Sequence, residues 1–96
     1  MMSIEYVRFK VEEKMQPDFI KTIKQACIIL QEFEDVLGVE FTQSEEDKTL
    51  FVWRIEWPST AVHMENFKND RLYHDFHQLI EPYVSMVLDL NHYQRI

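Results

Sequence analysis

The sequence predicts an α+β domain: a four-stranded antiparallel sheet with helices covering one face. Three observations carry this. Segments at both ends and in the middle of the chain alternate apolar and polar residues with period two, as half-buried strands do. A long apolar stripe at helical spacing separates the first strand from the second. A second, interrupted helical region precedes the last strand.

The elements follow in order. Ser3–Glu12 places Val7, Phe9 and Val11 on one side and Tyr6, Arg8 and Lys10 on the other. Pro17 and Asp18 suit a first helical turn, Pro because its missing N–H is unpaired there anyway and Asp because it faces the positive end of the helix dipole. From Phe19 to about Phe33, apolar residues at 19, 20, 23, 26, 27, 30 and 33 form one broad stripe, with Ile28 nearly opposite. Gly38 opens a second strand, Gly38–Gln43, and the polar turn SEEDK leads into Thr49–Trp57. There Phe51, Trp53, Ile55 and Trp57 point one way and Leu50, Val52, Arg54 and Glu56 the other. Pro58 ends that strand, and Ser59 or Thr60 caps a short helix over Thr60–Lys68. A break at KND precedes a second helix, Asp70–Ile80, which Pro82 stops. Val84–Arg95 then alternates, with Met86, Leu88, Leu90 and His92 toward the helices. The order β-α-β-β-α-α-β is ferredoxin-like and occupies residues 1–96 as a single domain.

A chain of 96 residues buries roughly 60–65% of its unfolded surface and has little stability to spare. The helix-free sheet face collects Tyr6, Arg8, Arg54, Asp89, Tyr93 and Arg95, charges of both signs with aromatics between them. Small size and this mixed character favour a homodimer through that face, with ion pairs between the two copies. The net charge of −7, with no dominant Lys/Arg cluster, argues against nucleic acid. One cysteine excludes an internal disulfide and leaves no zinc pattern, so no metal is expected. No signal-like start and no membrane-length apolar run is present, and a cytoplasmic location is expected.

The segments YVRFKV, LGVEF, FVWRIEWPS and FKNDRLYHDFHQLI together resemble the antibiotic biosynthesis monooxygenase (ABM) superfamily, the dimeric α+β barrel proteins. Trp57-Pro58-Ser59 corresponds to the family's loose motif after the third strand, and Gly38 to its glycine before the second. The resemblance spans nearly the whole chain. It implies a homodimer whose sheets close into a barrel, with a small-molecule pocket between helices and sheet in each subunit. It also implies one of three activities: cofactor-free oxygenation of phenols or quinones, haem degradation, or none.

His74 and His77 lie three residues apart, but only His77 sits at the edge of the buried arc defined by Leu72, Tyr73, Phe76, Leu79 and Ile80. A cofactor-free oxygenase needs aromatic walls, a base and a hydrogen-bond donor. The residues expected to serve are His77 as base, Tyr73 or Asn66 as donor, and Trp53, Trp57, Phe67, Val7 and Met86 as walls. The haem-degrading branch is matched only at His77: Phe67 stands where that branch has Trp, and Val7 at or near its Asn. Haem is therefore a lesser alternative, beside a module that binds a small ligand without turnover. His63 and His92 read as a surface and an end-of-strand residue, and Cys27 as core.

Overall fold

In a computed structural model, which describes residues 2–96, the elements run β1 (Ser3–Lys10), α1 (Gln16–Glu32), β2 (Gly38–Gln43), β3 (Leu50–Trp57), α2 (Arg71–Ile80) and β4 (Val87–Gln94). The four strands form one sheet in the order β2-β3-β1-β4, every neighbouring pair antiparallel. The ferredoxin-like plan is therefore correct. No helix is long and apolar enough to cross a membrane among the described residues.

One face of the sheet carries the core. Val7 and Phe9 of β1 lie beside Trp53 and Phe51 of β3, and α1 presses Phe19, Ile23, Ala26 and Leu30 onto them. Phe19 is the hub, with the rings of Phe9, Phe41, Phe51 and Tyr83 all 5.0–5.7 Å from its own in tilted or edge-on contact. The helix begins earlier than its apolar stripe because Gln16 is buried. Its amide donates to the carbonyls of Val11 and Lys48, and its oxygen accepts from Gln43. That side chain ties the start of α1 to β1, β2 and the β2–β3 turn. Ile28 is exposed, as its place opposite the stripe suggests.

Two expectations need correction. The last strand starts at Val87, because Glu81–Met86 forms a 3-10 helix with Pro82 in its first turn. A bulge then leaves Leu88 unpaired: Arg8 opposes Asp89, but Phe9 opposes Val87. One inserted residue reverses the sidedness upstream of it, so Val87, Leu90 and His92 face the helix side, while Leu88 is exposed and Met86 lies elsewhere. The second concerns the open sheet face. Arg8 meets Asp89 of its own chain in a bidentate pair with contacts of 2.6–3.1 Å. Arg54 reaches Tyr6 and Glu56. Of the charges on this face, Arg8, Asp89 and Arg54 are thus paired within one chain.

Between β3 and α2 the chain makes a π-helical turn, Val62–Phe67, whose entry is held by Ser59 accepting from the Val62 N–H. Asp70 caps α2 by accepting from the Leu72 N–H. The break lets Phe67 bury itself fully while His63, a turn earlier, points back toward the sheet.

Candidate functional site

A cavity of about 750 Å³ lies between the sheet and the π-turn–α2 segment. Val7, Phe9, Trp53, Ile55 and Trp57 form its floor, and Phe67, Tyr73, Phe76 and Ile80 its roof. Val84, Val87 and Leu90 line its open side along β4, where Leu90 remains 46% exposed. The walls are therefore apolar and largely aromatic, and ionisable groups stand only at the margins.

One margin is on α2. His77 is half-buried, its ring centroid 5.6 Å from that of Tyr73, and its Nδ1 lies 3.6 Å from a Glu81 carboxylate oxygen one turn on. The helix places Tyr73 and His77 on one face by their spacing of four.

The other margin joins three elements. Glu5 of β1 is 3% exposed, and its Oε1 accepts the Trp57 indole N–H at 3.0 Å. His63 of the π-turn stacks on Trp57 with centroids 4.5 Å apart, and its Nε2 lies 3.6 Å from Glu5. His63 Nδ1 meets His92 Nε2 of β4 at 2.7 Å, one ring donating to the other. Burial pushes the Glu5 carboxyl up to about 7, against the opposing pull of the Trp57 hydrogen bond and the Lys68 charge. Burial also brings His63 down to about 4, helped by His92 and Lys68, and lowers His92.

Of the residues expected from the sequence, Trp53, Trp57, Phe67, Val7, Tyr73 and His77 all line this cavity. Asn66 does not. Beside the buried Phe67 it turns outward into a shallow groove with Glu32, Phe33 and Asp70. Met86, the last residue of the 3-10 helix and not part of β4, packs partly against the core and lines a separate surface groove with Lys10, Thr49 and Leu88. His63 and His92, peripheral by the sequence pattern, are central to one end of the cavity, and Glu5 joins them there. The signal for Glu5 was present: it shares the parity of Val7 and Phe9, so an acid stands at an inward position of an amphipathic strand. Cys27 is half-buried, its thiol pushed up by burial, and the buried indole N–H of Trp53 has no hydrogen-bond partner among the described residues.

No protein-family model matches the sequence, and neither does any curated protein. Solved structures do. A Bordetella bronchiseptica protein named provisionally as an antibiotic biosynthesis monooxygenase is 18% identical, over 99% of this chain and 97% of its own, with TM-score 0.78. A Bacteroides thetaiotaomicron protein of unknown function, suggested to be an oxidoreductase, is 15% identical over 98% of this chain and 97% of its own, with TM-score 0.81. A mutant of SnoaB, a cofactor-independent oxygenase from Streptomyces nogalater, is 8% identical over 98% and 92%, with TM-score 0.78. The chain has the fold of the antibiotic biosynthesis monooxygenases over its whole length.

Proposed function

We propose that this chain is a monooxygenase of small aromatic or quinone-like compounds that draws its electrons from the substrate and needs no flavin, nicotinamide or haem. The observation that supports it most is the cavity, an aromatic-walled space with ionisable groups confined to its margins. The substrate class is a phenol with an oxidisable ring methylene. His77 takes one proton from it, with a Glu81 carboxylate oxygen 3.6 Å from its Nδ1. Tyr73 donates to the substrate oxygen, holding negative charge as it develops. The electron-rich anion then reduces dioxygen and forms a carbon–oxygen bond. Loss of water from the hydroperoxide leaves a carbonyl: the carbon gives up four electrons, one oxygen atom stays in the product and the other leaves in water. Trp53, Trp57, Phe67 and Val7 hold the ring plane and keep water out. The SnoaB neighbour, a cofactor-independent oxygenase, agrees with this reading.

Two copies joined through the helix-free sheet face form the working unit in this reading. The half-exposed Tyr93 on that face, edge-on to Tyr6, favours it.

The test is oxygen uptake against a panel of polycyclic phenols. His77→Ala and Tyr73→Phe are expected to lose roughly 100-fold or more with circular dichroism unchanged, while Asn66→Ala retains activity. Saturable binding of the same compounds without oxygen uptake would instead identify a non-catalytic ligand-binding module.

A further inference from the structure

The proposed reaction leaves the best-organised polar cluster of the cavity unused. Glu5, His63 and His92 come from β1, the π-turn and β4, and one donor atom of each lies within 4.8 Å of the others. We propose that these three side chains form a binding site for a divalent first-row transition metal, with its remaining coordination positions open to the cavity. This goes beyond the proposed oxygenation and does not depend on it.

The donor set is the first argument. Two imidazoles and one carboxylate suit iron(II), zinc and their neighbours, whereas a single oxygen ligand is too few for calcium. Three protein donors, rather than four, also leave room for a further ligand from the cavity.

Burial is the second. Glu5 is 3% exposed, and the Trp57 indole is its only hydrogen-bond donor among the described residues. A carboxylate so placed has no cation in hydrogen-bond contact, only the charge of Lys68 farther off, and a bound metal supplies one. Trp57 already acts as an outer support: it fixes the Glu5 oxygen and stacks on the His63 ring, so one indole orients two ligands.

The third is convergence. The facing His63 Nδ1 and His92 Nε2 are 2.7 Å apart, one donating its proton to the lone pair of the other, so a metal there displaces that proton; Glu5 stands 3.6 Å from His63 Nε2. Metal–donor distances near 2.0–2.2 Å require donor separations of about 3–3.5 Å, so the rings part slightly and the carboxylate draws in, by rotamer adjustment. Lys68 lines the same cavity and its charge opposes a cation there, which supplies a test of sign.

Chelator-stripped protein should be titrated with Zn²⁺ by calorimetry and with Co²⁺ by visible absorption. The expected result is one ion per chain, with new visible bands for bound Co²⁺. Affinity should fall by about 100-fold or more in Glu5→Gln and His92→Ala, rise in Lys68→Ala, and stay unchanged in His77→Ala. No saturable binding would overturn the inference, as would binding that survives Glu5→Gln and His92→Ala but disappears in His77→Ala. Should Glu5→Gln fail to fold, His92→Ala on the edge strand decides alone. The isotherms need no substrate, so oxygen uptake without metal binding refutes only this inference. Metal binding without oxygen uptake supports it and refutes only the proposed reaction.

Discussion

The indole of Trp57 hydrogen-bonds Glu5 at 3.0 Å and lies nearly parallel to His63, 4.5 Å away between centroids. One buried aromatic thus holds an acid and a base whose titrations are displaced in opposite directions.

The pH dependence of the metal-free protein follows. Glu5 is raised from 4.5 to about 7, so its contribution to stability is full below about pH 4.5 and is lost as pH rises through 7. His63 is lowered from 6.5 to about 4, so its contribution is full above about pH 6.5 and is lost as pH falls through 4. The groups facing Glu5 are Trp57, His63, His92 and Lys68, and none is a fixed anion. The two slopes oppose each other, and unfolding in chelator should give a nearly flat profile between pH 4.5 and 6.5. Glu5→Gln should leave stability rising with pH over that range, and His63→Phe should leave it falling, each by about 2 kcal/mol. A steep profile in the unaltered protein would contradict this pairing.

Gln16 joins three segments through buried amide bonds. Gln16→Ala leaves the Val11 carbonyl without its side-chain donor, while the Lys48 carbonyl keeps that of Gln43, and should cost about 1–3 kcal/mol in denaturant unfolding. A cost near zero would mean that water replaces the amide at no penalty.

On the helix-free face Arg8 and Arg54 are already paired within one chain, so association through it rests chiefly on exposed aromatic surface. Tyr93 is half exposed there, edge-on to Tyr6 at 5.2 Å. Light scattering at micromolar concentration should give a dimer mass, and Tyr93→Glu a monomer. A monomeric mass for the unaltered chain removes the dimer from the proposal.

Haemin should produce no saturable Soret shift that depends on His77. Phe67 is 1% exposed and packs against Trp57, Tyr73 and Phe76, and Val7 belongs to the apolar floor, so neither offers a polar contact to an iron-bound ligand. A one-to-one shift lost in His77→Ala would establish haem ligation instead.

Much of this was legible in the sequence where one period governs a whole element. Phe51, Trp53, Ile55 and Trp57 alternate without interruption, and all four are buried. β4 was misread upstream of Leu88 because a bulge shifts parity without altering the apolar composition. Asn66 was misplaced because it adjoins Phe67, and one step along a tight turn changes which way a side chain points. The His63–His92 contact spans 29 residues and forms only when β4 pairs with β1 and the π-turn folds over it. No local pattern encodes that meeting.

The two margins of the cavity are chemically unlike. At one, an imidazole and a phenol project from a single helix; at the other, a buried carboxyl and two imidazoles converge from three elements. A flat ligand entering along β4 therefore meets different partners at its two ends and cannot be turned around without exchanging them. The enclosure fixes orientation before any bond changes, so oxidation of an asymmetric ring system should fall on one carbon and yield a single regioisomer.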